Sequence, residues 1–145
     1  MKIALIGPPS SGKTRFVYTL FNNENYAPPT CGVDLCIYRH MNKPITLFDT
    51  GSGDAFIISA CETCDIILLI YDASRDPFRL ASFISIIPSE KLCSTYLVAN
   101  IINSCDYPPE DAADYFGIKY EYVDVSDKDD LRELLNKLIP CRVCC

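Results

Sequence analysis

Gly7-Pro-Pro-Ser-Ser-Gly12-Lys13-Thr14 is the segment of the sequence that says most about the fold. It matches the pattern G-x-x-x-x-G-K-[ST] in full. An apolar strand pattern at Lys2–Ile6 precedes it, and residues 13–21 carry apolar side chains at helical spacing. A strand, this loop and a helix, in that order, are the context in which the motif forms a phosphate-binding loop.

The residue types of the loop suit the phosphates of a nucleotide. Backbone N–H groups of such a loop surround the β-phosphate, helped by the positive end of the following helix. Gly12 permits close approach, Lys13 brings a cation to the β- and γ-phosphates, and the Thr14 hydroxyl is a hard oxygen ligand for Mg²⁺. Pro8 and Pro9 stiffen the loop and remove two N–H donors. The candidate phosphate-binding residues are Ser10, Ser11, Gly12, Lys13 and Thr14.

Strand and helix patterns alternate along the rest of the chain. Residues 41–43 predict a hairpin turn, and Ser126 is the expected N-cap of the last helix. Strands are expected at residues 2–6, 35–40, 44–48, 66–71, 94–99 and 118–123, and helices at 13–21, 78–87, 109–116 and 127–138; a helix between 48 and 66 is left open. The order predicts an α/β fold, a doubly wound and mostly parallel six-stranded sheet with one antiparallel strand and helices on both faces.

Length and composition bound the possible functions. The 145 residues suit one domain, and 49% hydrophobic with 22% charged residues argue against wholesale disorder. A net charge of −6 without a dense basic run excludes a typical nucleic-acid binder. The longest apolar run, residues 66–71, is too short to span a membrane, and the first residues do not form a signal peptide. The single histidine, His40, excludes metal sites with several histidines.

Nine cysteines are many for a chain of this size. Without a secretion signal, reduced thiols in the cytosol are the expectation. Cys61-Glu-Thr-Cys64 and Cys141-Arg-Val-Cys144 have the spacing of two halves of a zinc site. The alternative is that the spacing is incidental and that most cysteines before the C-terminus are small buried hydrophobic residues.

A second motif, Phe48-Asp49-Thr50-Gly51-Ser52-Gly53-Asp54, follows a strand pattern. An aspartate at the end of an apolar strand is where a protein with this phosphate loop places its second Mg²⁺-organising group. Thr30-Cys-Gly-Val-Asp-Leu35 lies between the two motifs. With these segments the chain resembles the Ras superfamily of small GTPases. Residues 30–35 are most similar to the T-I-G-V-D-F string of the Rab branch, and residues 49–54 are similar to D-T-A-G-Q-E.

The resemblance implies a small G-domain of the P-loop NTPase class that holds GTP or GDP with Mg²⁺. Thr30 would bind Mg²⁺ by its hydroxyl and the γ-phosphate by its N–H, Asp49 would hold Mg²⁺ through water, and Tyr26 would cover the ribose or guanine. The candidate metal-binding residues are Thr14, Thr30 and Asp49. Loss of the γ-phosphate would release two switch segments. Protein effectors and regulators would contact Cys31 to Tyr38 and Gly53 to Cys64.

The second motif departs from the family pattern at two positions. Ser52 stands where D-x-x-G has the glycine whose N–H contacts the γ-phosphate, and serine has less backbone freedom. The alternative is a one-residue shift in which Gly51 or Gly53 serves. Gly53 stands where the family has the glutamine that orients the attacking water. We therefore assign no catalytic residue and expect intrinsic GTP hydrolysis to be very slow or absent without a partner.

The first base-binding motif also departs. The family string N-K-x-D reads Asn100-Ile101-Ile102-Asn103. Asn100 remains to donate to the purine, whereas Asn103 offers one acceptor where the family aspartate accepts two hydrogen bonds from guanine. A buried donor facing a donor costs about 1–3 kcal/mol, which weakens the preference for guanine. The alternative is an asparagine that caps a turn, followed by core isoleucines.

The second base-binding motif is partly retained. Ser126-Asp127-Lys128 stands at the family's S-A-K position, after a strand and before the last helix. The N–H of Asp127 would reach the base oxygen, and the stem of Lys128 would stack on the base. A simple N-cap at Ser126 explains the same residues equally well.

The C-terminus ends in Cys144-Cys145. This pair resembles the double cysteine that Rab proteins carry for geranylgeranyl groups, and two such chains satisfy the requirement for stable membrane anchoring. We divide the chain into a small-GTPase-like domain, residues 1–140, and a short cysteine-rich tail, residues 141–145. The expected location is the cytoplasm, with membrane association on the cytosolic face if the tail is prenylated.

Three functions fit the sequence. The first is a Rab-like switch in membrane traffic. The second is a pseudo-GTPase, a binding module that engages or mimics Rab partners after altering or losing nucleotide specificity. The third is a small-molecule kinase with the same phosphate loop, against which stand the missing arginine-rich lid and the switch-like segment 30–54.

Overall fold

A computed structural model describes residues 1–22, 32–51, 53–102 and 104–139. The strands are β1 (Lys2–Ile6), β2 (Val33–His40), β3 (Lys43–Thr50), β4 (Ile66–Asp72), β5 (Thr95–Asn100) and β6 (Lys119–Val123). The helices are α1 (Lys13–Leu20), α2 (Asp54–Thr63), α3 (Ala81–Ile86), α4 (Glu110–Phe116) and α5 (Lys128–Leu138), with 3₁₀ turns at Pro77–Leu80 and Ser89–Ser94. The predicted α/β class and six-stranded sheet are confirmed.

The sheet has the strand order β2-β3-β1-β4-β5-β6. Strand β2 is antiparallel to β3, and the other described pairs are parallel. The predicted hairpin joins β2 to β3, and its turn residues Met41 and Asn42 have φ of 49° and 65°, values that a tight hairpin turn requires. Because the parallel strands end at the same edge of the sheet, the loops after β1, β3 and β5 bring the candidate site residues together.

Two apolar cores lie on opposite faces of the sheet. One contains side chains of α1 and α5, such as Phe16 and Leu135, and the other contains side chains of α2 and α4. Leu5 and Ile6 are neighbours in β1 but belong to different cores, since successive side chains of a strand point to opposite faces. Burial on both faces explains why β4 reads as a continuous apolar run.

The last helix begins one residue later than predicted, and its N-cap is Asp127 rather than Ser126. Asp127 Oδ1 accepts the N–H groups of Asp129 at 3.0 Å and Asp130 at 3.4 Å. The Ser126 hydroxyl instead donates to the Asp124 carboxylate at 2.5 Å. An ionised carboxylate at the cap accepts two free donors of the first turn, which a hydroxyl does less well.

Other elements follow the sequence more loosely. The segment where a helix was left open forms α2, and the helix predicted at 78–87 divides into a 3₁₀ turn and α3. The 3₁₀ turn at Ser89–Ser94 was not predicted. Among the described residues, no helix combines the length and the apolar character that crossing a membrane requires.

The described cysteines divide between the core and the surface. Cys61 and Cys64 are buried and Cys36 is half-buried, whereas Cys93 and Cys105 are exposed. The expectation of core positions is right for the first two and wrong for the last two. Cys93 falls in a surface 3₁₀ turn and Cys105 in the loop after β5, two elements that carry few buried side chains.

The cysteine pair of α2 is a poor half-site for zinc. Burial raises the pKa of Cys61 to about 11 and that of Cys64 to about 12, and zinc binds the thiolate form. Cys141 and Cys144 lie outside the described residues. Within the described ranges, no three His, Cys, Asp or Glu side chains gather as a metal site.

Candidate phosphate and magnesium site

The loop between β1 and α1 closes around the ammonium group of Lys13. Lys13 Nζ donates to the carbonyls of Gly7 at 2.7 Å and Pro8 at 2.9 Å. The Pro8 carbonyl also accepts the N–H of Ser11 at 3.3 Å. Lys13 is 9% exposed, and Ser11 is buried with no hydrogen-bond partner for its hydroxyl among the described residues. The loop therefore has the shape of a cradle with a buried cation at its centre.

Two glycines of the motif are required by packing as well as by φ. A Cβ on Gly12, which has φ 109°, would lie 2.4 Å from Nδ2 of Asn100. A Cβ on Gly7 would lie 2.2 Å from the carbonyl oxygen of Ile70. Ser10 is exposed and has φ 63°, so the loop holds a non-glycine residue in the left-handed region, an arrangement that costs about 1–2 kcal/mol.

Thr14 and Asp49 meet where α1 begins and β3 ends. Thr14 Oγ1 donates to Asp49 Oδ2 at 2.6 Å, and Asp49 is buried. The buried hydroxyl of Thr50 donates to the carbonyl of Leu5 at 2.8 Å and fixes the end of β3 against β1. This role of Thr50 was not foreseen from the sequence. A threonine that directly follows the predicted metal-binding aspartate was the available signal.

The two side chains that meet here suit Mg²⁺. A threonine hydroxyl and a carboxylate are hard oxygen ligands, and Mg²⁺ bound to a nucleotide needs only one or two protein groups beside phosphate oxygens and water. Thr14 and Asp49 come from different elements and are brought together by the parallel pairing of β1 and β3. The third metal-binding residue predicted from the sequence, Thr30, lies outside the described residues.

The electrostatics of the loop favour an anion. Burial lowers the pKa of Lys13 from its ordinary value of 10.5, and the negative charge of Asp49 opposes this shift. Desolvation disfavours the ammonium form, and a neighbouring anion favours it. A phosphate group bound over the loop would therefore raise the pKa of Lys13 and be attracted in return.

Asn100 ties the loop to the sheet. It is fully buried at the end of β5, its Nδ2 donates to the Ser11 carbonyl at 2.9 Å, and its Oδ1 accepts the N–H of Val125 at 3.3 Å. The sequence predicted contact with a purine for Asn100. The structure assigns its amide oxygen and one amide hydrogen to contacts within the protein. Val125 was not foreseen, because nothing in an apolar residue of a loop signals the use of its N–H.

The second base-binding segment lies beside the end of α1. Lys128 Nζ donates to Asn22 Oδ1 at 2.9 Å, and the Asp127 side chain is occupied as the helix cap. The N–H of Asp127 donates to the carbonyl of Asp124 at 3.0 Å. Asn103, Tyr26 and Ser52 lie outside the described residues.

The second motif continues into α2. The N–H of Gly51 donates to the carbonyl of Gly32 at 2.6 Å, which disfavours the shifted alignment with Gly51 as the γ-phosphate contact. Gly53 has φ 124° and is the N-cap of α2. A Cβ on Gly53 would lie 3.2 Å from the ring of Phe56. The backbone conformation and the space at residue 53 therefore favour glycine.

The two predicted partner surfaces are adjacent. Leu35 and Ile37 of β2 are 63% and 64% exposed, and Phe56 of α2 is 49% exposed. A cavity of about 200 Å³ lies between β2 and α2, lined by Val33, Leu35, Phe48, Ser59 and Ala60. The described parts of the segments Cys31 to Tyr38 and Gly53 to Cys64 thus form one surface with exposed apolar side chains, which we call the β2–α2 surface.

No protein-family model matches the chain, and no curated protein sequence matches it significantly.

Proposed function

We propose that the chain is a Rab-like small GTP-binding protein, a nucleotide-dependent switch in membrane traffic with weak or absent intrinsic hydrolysis. The observation that carries the proposal is the arrangement of three side chains at the carboxyl ends of β1 and β3. The Thr14 hydroxyl bonds Asp49 at 2.6 Å, and the loop carbonyls of Gly7 and Pro8 hold the Lys13 ammonium at 2.7 and 2.9 Å. A cation, a hydroxyl and a carboxylate around a glycine-bearing loop fit the phosphates and the Mg²⁺ of a nucleotide.

Each residue has a distinct part in this proposal. Lys13 exchanges its two loop carbonyls for phosphate oxygens, and the loop N–H groups from Ser10 to Thr14 complete the cradle. Thr14 and Asp49 hold Mg²⁺, which when bound neutralises charge on the β- and γ-phosphates. Thr30 is the proposed switch residue that senses the γ-phosphate.

Hydrolysis is expected to be slow because Gly53 has no side chain to orient water. Single-turnover measurement with purified protein tests this point. The proposal predicts very slow hydrolysis of bound GTP or none, and efficient single-turnover hydrolysis by the purified protein alone would contradict it. The β2–α2 surface is the proposed site for effectors and regulators, since its exposed apolar side chains suit a protein partner.

Membrane association is proposed to come from the tail. Cys144 and Cys145 would carry prenyl groups, and the net charge of −6 leaves little electrostatic attraction to anionic lipid. Mass spectrometry of the protein purified from a eukaryotic cell tests this. Prenyl masses on the last two residues support the proposal, and free thiols there contradict it.

A pseudo-GTPase is the second candidate, and one observation favours it. Asn100 is used inside the protein, and Ile101, which replaces the family lysine, packs against an apolar core. Because the second amide hydrogen of Asn100 stays available to a base, the absence of the lysine is the main argument for weakened base recognition. Titration with fluorescent GDP, GTP and ATP analogues separates the two: at least about tenfold preference for guanine supports the switch, and equal weak binding or none supports the pseudo-GTPase.

A further inference from the structure

Strand β6 is the edge strand of the sheet opposite to β2, and none of the described strands pairs with its outer side. The Val123 carbonyl accepts the N–H of Ile101 at 2.8 Å, so the backbone of Val123 faces β5. Successive residues of a strand direct their N–H and C=O groups to opposite sides. The backbone groups of Tyr120 and Tyr122 therefore point away from the sheet, where they are open to another strand.

One face of this edge is aromatic. Tyr120 and Tyr122 are 43% and 39% exposed, and their rings contact each other edge to face at 6.2 Å. Both lie on the face covered by α2 and α4, because their register partners Leu97 and Ala99 belong to that core. The hydroxyl of Tyr122 donates to the Glu110 carboxylate at the start of helix α4, and both rings stay partly exposed beside this short helix.

The other face carries two charges of opposite sign. Lys119 and Glu121 are two residues apart, so their side chains lie on the same face of β6. Lys119 is exposed with its ammonium 5.4 Å from the ring centre of Tyr96, and Glu121 forms an ion pair with Lys137 at 3.3 Å. A strand with this spacing of opposite charges is complementary to an antiparallel copy of itself.

We propose that β6 pairs antiparallel with β6 of a second copy of this chain, around a two-fold axis at Tyr120. In this register Lys119 of each copy lies opposite Glu121 of the other, and the two Tyr120 residues exchange backbone hydrogen bonds. Ile118 of each copy lies opposite Tyr122 of the other, so apolar side chains meet on the aromatic face. Cross-strand pairs of both kinds stabilise antiparallel sheets.

Several registers place the aromatic face of one β6 beside the aromatic face of the other. The charges of Lys119 and Glu121 favour the register centred on Tyr120 among them. A register centred on Glu121 places the two Glu121 carboxylates opposite each other, which is unfavourable. A register centred on Tyr122 places Glu121 opposite Val123 and leaves Lys119 without a partner strand. Only pairing centred on Tyr120 satisfies both charges in both copies.

The dimer leaves the β2–α2 surface free, because β2 is at the far end of the sheet. The two-fold axis reverses the strand direction. The phosphate loops follow the carboxyl ends of the strands, so the loops of the two copies lie at opposite ends of the strands of the continuous sheet. One dimer thus presents two copies of the β2–α2 surface to its partners, and binding to clustered partners gains from this bivalency.

Sedimentation velocity of the full chain tests the proposal. The experiment compares wild type with Lys119→Glu and with the charge-swapped variant Lys119→Glu/Glu121→Lys/Lys137→Glu, between about 1 and 500 µM protein. Lys137 is changed as well because it is the ion-pair partner of Glu121. A reductant is present because exposed cysteines can cross-link. Lys43→Glu is the matched control, since it makes the same charge change at an exposed residue beside the opposite edge strand. Circular dichroism establishes that each variant is folded.

Wild type and Lys43→Glu are expected to form dimers that weaken as salt is raised. Lys119→Glu places two like-charged pairs across the edge and should weaken the dimer at least about tenfold. The charge swap restores opposite charges and should return the dissociation constant to within about threefold of wild type. A wild type that stays monomeric, a dimer indifferent to Lys119→Glu, or a charge swap that fails to restore pairing would each overturn the proposal.

Discussion

Replacing Asn100 with alanine removes the side chain that ties the phosphate-binding loop to β5 and to Val125. Asn100 is fully buried, and its amide bonds the Ser11 carbonyl at 2.9 Å and the Val125 N–H at 3.3 Å. Alanine can make neither bond. The Asn100→Ala variant therefore tests whether this tether, absent from any reading of the sequence pattern, holds the loop in place.

The magnitude follows from the two groups that lose their partner. A buried acceptor or donor left without a hydrogen bond costs about 1–3 kcal/mol. The Ser11 carbonyl loses a short bond and lies in the upper half of that range, while the Val125 N–H loses a long one and lies near its lower end. We expect the free energy of unfolding to fall by about 2–4 kcal/mol, out of a typical total of about 5–15 kcal/mol.

Urea unfolding followed by circular dichroism measures this loss. The transition midpoint should fall with little change in slope, because the surface exposed on unfolding is nearly the same. Thr63→Ala is the control: it removes an exposed side chain whose hydroxyl donates to the Ser59 carbonyl at 2.8 Å. That variant should lose less than about 1 kcal/mol.

Nucleotide binding gives the second readout. With the tether cut, the loop samples more conformations and must be ordered when phosphate binds, which should weaken binding by Asn100→Ala even where the protein is folded. A loss below about 0.5 kcal/mol, or a loss equal to that of Thr63→Ala, would contradict this expectation, because the two buried hydrogen bonds would then contribute no more than an exposed one.

Three further predictions concern the loop, the metal and the buried thiols. Gly12→Ala puts a Cβ 2.4 Å from Asn100 at φ 109° and should lower the free energy of unfolding in urea by about 2–5 kcal/mol. Gly117→Ala is the control: the space around Gly117 is open, and the loss should be about 1–2 kcal/mol. Equal losses would contradict the packing argument. Thr14→Ala should reduce the gain in nucleotide affinity on adding Mg²⁺ at least about tenfold in calorimetry, and an unchanged gain would exclude Thr14 as a ligand. Burial raises the pKa of Cys61 to about 11 and that of Cys64 to about 12, above the ordinary 9.0, so the stability they confer is full below pH 9 and falls as pH rises toward 11–12. The urea midpoint of the Cys61→Ala/Cys64→Ala variant should therefore change less between pH 8 and 10.5 than that of wild type. The same change of midpoint with pH in both proteins would be inconsistent with buried thiols.

Most of the fold could be predicted from the sequence, because the spacing of apolar residues and the residues that end helices and strands are local features. The apolar runs of β1 and β4 and the hairpin turn at Met41 and Asn42 stand where the sequence indicated them. The predicted N-cap of α5 was wrong by one residue, because Ser126 and Asp127 are both good caps. The Ser126 hydroxyl donates to the Asp124 carboxylate, which leaves Asp127 to cap the helix. Such competition between neighbours is decided by contacts, not by propensity.

The candidate site was predicted in part for a similar reason. Motif spacing indicated Lys13, Thr14 and Asp49, whose meeting follows from parallel strands that end at one edge. The bonds of Asn100 and Thr50 with backbone groups of other strands could not be predicted, since they depend on strand order and register. The self-complementary charges of β6 were likewise visible in the sequence but meaningless until β6 was known to be an edge.

Calorimetric titration of GTP into wild type and Lys13→Ala, with and without Mg²⁺, tests whether the loop between β1 and α1 binds the phosphates of a nucleotide. Wild type should bind with an affinity that rises when Mg²⁺ is added. Lys13→Ala should lose about 3 kcal/mol of binding, roughly 100-fold, because two or more charge-assisted bonds to phosphate are removed. Lys43→Ala, an exposed lysine at the start of β3, should bind as wild type does. Equal binding by wild type and Lys13→Ala, or no binding by folded wild type, would contradict the account.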